Sequence, residues 1–204
     1  MKNIFLTLTF VISVSFYARG DIIPYPSPGT IAPTISLTAA TTGDIVGYFY
    51  GASAGDTDEV QVCDTTVGPA DCSPLEFDNQ LSTPGDMVDF LSVSAGDTLV
   101  VNLYNQTTHT LLSSDPAISN DGVNHAYVTP YTGVGAPPID STIPPGTFIG
   151  MEDLEASQGS DFDYNDDQFV FTNVATSVTP EPSMLILCIG LLGLLPVARR
   201  RFGF

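Results

Sequence analysis

Between Asp21 and Thr179 the sequence contains no lysine and no arginine. All five basic residues stand outside that stretch, as Lys2, Arg19, Arg199, Arg200 and Arg201, whereas 22 of the 23 acids stand inside it. Nucleic-acid binding is thereby excluded, because phosphate contacts need Lys or Arg. Only His109 and His125 remain as internal counter-charges, so clustered carboxylates must be satisfied by backbone N–H groups, by water or by bound divalent cations. Such a surface repels itself, which favours solubility and disfavours the compact state; calcium outside the cell would relieve that. Tryptophan is absent, and no aromatic sugar platform stands out. Cysteine is scarce: Cys188 lies in an apolar tail, leaving Cys63 and Cys72 around D-T-T-V-G-P-A-D. In an exported chain that pair reads as a disulfide closing a short Gly-Pro turn. A reduced, metal-binding pair is the alternative, but no further Cys and no nearby His supports it.

The two ends carry what the middle lacks. Residues 1–20 have Lys2 as a basic start, an apolar stretch over 4–16, and Ala18-Arg19-Gly20 before Asp21. This is the pattern of a secretory signal peptide, and it implies a Sec translocon and a signal peptidase as partners. Residues 179–204 place the knuckle Pro180-Glu181-Pro182 before an uncharged run over 184–198 and the cluster Arg199, Arg200, Arg201. Fifteen helical residues span about 22 Å, short of the roughly 20 residues that cross a bilayer unaided. Flanking residues and local thinning cover the difference. The arginines then stay cytoplasmic and leave the preceding chain outside.

Those three parts in that order resemble the PEP-CTERM sorting signal of Gram-negative bacteria. The resemblance implies that an exosortase, a membrane-embedded cysteine protease, recognises Pro180, Glu181 and Pro182 and cleaves nearby. The chain would be held in the inner membrane with its body periplasmic, then displayed on or released from the surface. An ordinary C-terminal anchor that is never cut is the plain alternative.

The segment over 21–179 is long enough for one domain with a useful core. Residues 21–33 hold Pro24, Pro26, Pro28 and Pro33 and read as an extended leader without a core. Over 34–178, short apolar runs alternate with turn residues, predicting strands over 44–50, 59–63, 87–93, 98–104, 110–112, 126–131, 147–151 and 168–172. Apolar side chains recur at every second position in Leu99-Val101-Leu103 and Phe169-Phe171, and no helical period appears. Ser53-Ala54-Gly55-Asp56-Thr57 recurs as Ser94-Ala95-Gly96-Asp97-Thr98, which reads as two equivalent hairpin turns. The expected fold is all-β, an antiparallel β-sandwich of jelly-roll type.

Chemistry concentrates near the end of the body. Seven carboxylates fall within sixteen residues: Glu152, Asp153, Glu155, Asp161, Asp163, Asp166 and Asp167, with Asn165 adding an amide oxygen. Calcium takes six to eight oxygens, and the alternate spacing of Asp161, Asp163 and Asn165 lets a loop converge on one ion. An EF-hand does not fit, since its glycine position is Asp166 and its last position Thr172. The set must be completed from elsewhere, most simply by Glu152 or Asp153. G-M-E-D-L followed by S-D-F-D-Y-N-D-D-Q-F-V-F also resembles the closing segment of a bacterial exported β-domain of unassigned function. That resemblance implies a calcium-stabilised module with Glu152, Asp153, Asp161, Asp163, Asn165 and Asp166 at its site. The bland reading is a solvated turn whose Asp and Asn side chains cap backbone groups. Asp115, Asn120, Asp121 and Asn124, around Gly122, form a weaker cluster that reads as a turn.

Catalysis finds little support. Ser113 and Ser114 lack a nucleophile elbow, and His109 and His125 read as strand or loop residues. Paired carboxylates for glycan hydrolysis could come only from the acidic loop. The expectation is a non-catalytic surface or matrix component, with calcium linking it to anionic extracellular polysaccharide. A secreted glycan hydrolase is the alternative.

Overall fold

The computed structural model describes residues 23–66, 70–133 and 143–177. The signal peptide, the sorting residues Pro180, Glu181, Pro182, Arg199, Arg200 and Arg201, and the run over 184–198 lie outside them. Among the described residues no helix is long and apolar enough to cross a membrane.

Among the described residues, eleven strands form two antiparallel sheets. They are β1 (Ser36–Ala39), β2 (Gly43–Ala52), β3 (Asp58–Asp64), β4 (Asp71–Cys72), β5 (Met87–Val93), β6 (Thr98–Asn105), β7 (Thr110–Ser113), β8 (Ala126–Tyr131), β9 (Gly146–Met151), β10 (Asp167–Thr172) and β11 (Val174–Ser177). One sheet runs β11-β1-β6-β3-β4, with β7 also on β6; the other runs β5-β2-β10-β9-β8. A short 3-10 turn over Ala156–Gln158 completes the elements. The fold is all-β, as the strand periodicity requires.

Alternation decides what each sheet buries. Leu37, Val60, Val62, Leu99, Val101 and Leu103 from the first sheet meet Ile45, Phe49, Ile149, Met151, Phe169 and Phe171 from the second in one apolar core. Phe77 enters that core from the long β4–β5 connection, in a left-handed conformation (φ 57°), and stacks on Phe169 at 6.0 Å. Side chains of opposite parity on the second sheet, Tyr50, Phe148 and Val170, make a separate outer cluster with Tyr131 and Ile143.

The repeated Ser-Ala-Gly-Asp-Thr segments are not hairpin turns. The first joins β2 to β3 and the second β5 to β6, and each pair belongs to different sheets, so both segments arch across the sandwich. In the second copy Asp97 closes its own turn, accepting the Ser94 N–H at 2.6 Å. In the first, the Ser53 N–H goes instead to the Asp166 carbonyl, and Asp56 turns to the Asn105 amide at 2.9 Å.

One other expectation changes. The leader is extended, but it is not separate from the body: Tyr25 and Ala32 are buried against Tyr164, and the Gly29 N–H bonds to the Asp161 carbonyl at 2.9 Å. β10 and β11 also lie in different sheets although one residue separates them. That residue, Asn173, takes a left-handed conformation (φ 61°) that Asn tolerates better than most side chains.

Cys63 and Cys72 form a disulfide across the β3–β4 pair. Replacing both by serine is expected to cost ~2–3 kcal/mol, seen as a melting temperature lower by ~4–12 °C for a chain of this size. Thermal unfolding without reductant, followed by circular dichroism, checks it.

Candidate metal centre

β9 continues past Met151 into Glu152 and Asp153, and the pleat sends these two carboxylates opposite ways. Phe148 lies in the outer cluster and Ile149 and Met151 in the inner core, so Glu152 belongs to the outer face and Asp153 to the space between the sheets. The neighbouring acids thus serve different neighbourhoods.

On the outer face the acidic loop folds back over β9. Glycine at position 150 makes this approach feasible, because a methyl group there would lie 2.3 Å from the Tyr164 carbonyl oxygen. Phe162 and Tyr164 both take left-handed backbone angles (φ 49° and 56°), and their N–H groups converge on Glu152. Phe162 donates to Oε2 at 3.0 Å, Tyr164 donates to Oε1, and the Ser160 hydroxyl donates to Oε2. Glu152 is fully buried; burial pushes its carboxyl above the ordinary range although these donors act the other way. The loop is wound around a carboxylate.

Asp161 and Asp163 bring oxygens to this anchor. Ligand atoms of Glu152, Asp161 and Asp163 all lie within 4.8 Å of one another, compatible with calcium, whose oxygen ligands sit about 2.3 to 2.6 Å away. Asp163 is partly committed to its own turn, accepting from the Asn165 N–H at 3.1 Å and from the Asn165 side-chain amide. Asn165 therefore shapes the loop here, its carbonyl holding the Gln168 amide at 2.9 Å. Tyr164 locks the base of the loop: its hydroxyl accepts the Ala32 N–H at 2.7 Å and donates to the Asn124 carbonyl at 3.3 Å.

Asp153 and Asp166 face elsewhere. They meet Asp58 and Asp167 at one end of the interior, where the Asp153 N–H donates to Asp166 at 3.2 Å. Of the six residues expected to share one site, the structure gathers Glu152, Asp161 and Asp163 on one side and Asp153 and Asp166 on the other. Asp58 and Asp167 are fully buried. Burial, then the Asp56 charge, pushes Asp58 up to about 7. Burial, then Asp58, brings Asp153 to about 6; burial, then Asp153, brings Asp166 to about 7; and Asp167 stands well above its ordinary value for like reasons.

Sequence reading counted Asp167 among the clustered acids without placing it at a site, and missed Asp58 and Asn105, though the signal was there. Each ends an inward apolar row: Asp58-Val60-Val62 on β3, Asp167-Phe169-Phe171 on β10, and Val101-Leu103-Asn105 on β6. Extending the period of two by one residue finds all three.

Neither histidine contributes a side-chain ligand, although the His125 carbonyl accepts the Glu152 N–H at 3.1 Å and its ring lies 6.1 Å from that of Phe162. His109 is exposed in the β6–β7 turn. His125 is buried, and burial lowers its pKa in spite of the Asp121 carboxylate at 3.1 Å. Asp121 also accepts the Val123 and Ala156 N–H groups at 3.0 Å each, the work of a turn. In comparisons with known proteins, no family model, no curated protein and no solved structure matches this chain.

Proposed function

We propose that this chain is an exported, non-catalytic component of a cell surface or extracellular polysaccharide matrix, stabilised by calcium and sorted by an exosortase through its PEP-CTERM-like tail. The observation that carries the reading is the oxygen-only meeting of Glu152, Asp161 and Asp163 in a body without lysine or arginine. Calcium suits such a set, and an ion with remaining open positions can link it to carboxylates of an anionic polysaccharide. The pairing of β1 with β11 and of β2 with β10 nests the strands in the manner of a jelly roll, an architecture common among binding modules. A cleft of about 170 Å³ beside β1 and β6 contains one carboxylate, Asp115, which gives no support to a two-carboxylate hydrolase there.

The test is co-sedimentation of the full-length chain with an anionic polysaccharide, in millimolar calcium and in chelator. Calcium-dependent sedimentation that Asp163→Ala weakens at least ~tenfold, with no new reducing ends, is the expected result. An ion held at one hundred times its dissociation constant also adds about 2.7 kcal/mol to stability, so the calcium-induced rise in melting temperature shrinks in the same variant. Accumulating reducing ends would move the reading to a glycan hydrolase. Sedimentation indifferent to calcium would remove the cation from the function.

A further inference from the structure

We propose that the disulfide between Cys63 and Cys72 is exchangeable, with Cys72 as the sulfur that an uncharged or cationic thiol attacks and Cys63 as the leaving thiolate, held by Asn102 and Gln61. Cys72 is thereby a covalent attachment point for a thiol-bearing molecule. This site involves no cation and is independent of the matrix reading.

The first observation is an asymmetry between the two sulfurs' surroundings. Cys63 and Cys72 are direct partners across β3 and β4, yet Cys63 is buried, 1% exposed, whereas Cys72 is exposed. Access therefore decides which sulfur is attacked. In the exchange a thiolate forms a bond to Cys72 Sγ while the bond from Cys72 Sγ to Cys63 Sγ breaks, and the electron pair of the broken bond leaves on Cys63. One disulfide is consumed and one is formed, so no outside oxidant or reductant enters.

The second is what surrounds the leaving sulfur. Val60 and Val62 point into the core, so Gln61 and Cys63 lie on the opposite face of β3, where Asn102 is the ladder partner of Gln61 and Ser113 that of Asn102. The Asn102 amide donates to Cys63 Sγ at 3.4 Å. Its polarity is set from a backbone group: the Asp115 N–H donates to the Ser113 hydroxyl at 3.0 Å, and that hydroxyl donates to Asn102 Oδ1 at 2.7 Å, which leaves the NH2 end for the sulfur. Gln61 brings its side-chain amide oxygen to 3.2 Å from the same sulfur. A disulfide sulfur has no hydrogen to give, so this amide bonds to it through NH2 after a half-turn about its last bond. A disulfide sulfur is a weak acceptor and gains little from two amides. A thiolate gains much more, because hydrogen bonds to a charged group are the stronger kind, and a better-stabilised thiolate leaves faster.

The third is charge. Asp64 and Asp71 are paired next to the disulfide, and no lysine or arginine occurs among the described residues. The local field repels an anionic thiol and admits a neutral or cationic one.

The test treats the oxidised full-length chain, under native conditions and for short times, with cysteamine, 2-mercaptoethanol or 2-mercaptoethanesulfonate at equal thiolate concentration. Acid quenching, alkylation and peptide mass mapping then locate adducts and free thiols and keep Cys188 apart from the pair. The expected result is an adduct on Cys72 with Cys63 alkylated, and cysteamine faster than 2-mercaptoethanesulfonate by ~tenfold at low salt, a ratio that shrinks in molar salt. Asn102→Ala and Gln61→Met are each expected to slow exchange by ~threefold to tenfold. Amides that merely pack the sheet would give the opposite sign, since loosening β3 opens the buried bond to thiol. Exchange that is unchanged or faster in both variants overturns the proposal, and so does an adduct on Cys63 in place of Cys72. An anionic thiol as fast as the cationic one overturns the assigned thiol class. Should Asn102→Ala fail to fold, Gln61→Met, at a half-buried position, decides by the same readouts.

Discussion

Glu152→Gln lowers the melting temperature of this chain by ~6–12 °C, and the loss persists in chelator. The acidic loop spends the Phe162 and Tyr164 N–H groups and the Ser160 hydroxyl on this one carboxylate. An amide keeps one acceptor oxygen and places a donor where the other was, so at least one buried N–H is left facing an N–H. A buried donor without a partner costs ~1–3 kcal/mol, and hydrogen bonds to a charged group count for more than neutral ones. A total of ~3 kcal/mol, at ~2–4 °C per kcal/mol for a chain of this length, gives the stated shift. The chelator arm separates two roles. Were Glu152 chiefly a cation ligand, its replacement would cost nothing once the cation is gone; as the anchor of the loop backbone, it costs the same. Limited proteolysis over residues 155–165 should quicken in parallel.

Metal-free protein loses stability as pH rises from 5 to 8, against the usual behaviour of acidic proteins at the low end of that range. Asp58, Asp153 and Asp166 titrate in the folded chain at about 7, 6 and 7 from an ordinary 3.8, and Asp167 lies higher still than 3.8. A carboxyl raised in this way favours folding fully while both states are protonated, below about 4. It withdraws that support as pH climbs through its folded value, because the unfolded chain has already released the proton. His125 works in the opposite direction: its lowered value costs stability as pH falls below 6.5. It is one group against five, since burial raises Glu152 as well. A loss on the order of 3 kcal/mol across the interval is expected, measured by chemical denaturation in chelator at each pH. A stability that rises with pH in chelator would show that burial is not setting these acids.

How much of this was legible in the sequence depends on the range of the forces involved. The strands with a clear period of two, such as Leu99-Val101-Leu103 on β6, are fixed locally and were found. β1, β4 and β11 were not. β1 and β11 are four residues each and exist because they pair with one another, Ser36 with Ser177 through Ala39 with Val174. β4 is two residues held by the disulfide. The repeated Ser-Ala-Gly-Asp-Thr turns were legible as turns, but whether a turn folds a strand back or carries it to another sheet is decided by partners far along the chain. The acidic loop was legible as a cluster of oxygen ligands. Its division into an outer and an inner group follows from the pleat at the adjacent Glu152 and Asp153, and from Asp58, which stands far earlier in the chain.

The pairing of β1 with β11 also sets how this body answers to force. Ser36, where the first strand begins, lies opposite Ser177, where the last one ends, so a pull applied between those points loads one rung of the ladder at a time. Antiparallel strands drawn from the same end unzip; they do not shear. Tension between the two ends therefore peels β1 from β11 at low load, while β3 and β6, aligned over seven paired residues from Asp58 with Asn105 to Asp64 with Leu99, stay out of the line of pull. Pulled between Ser36 and Ser177, the body would yield first at this seam and keep its central strands intact.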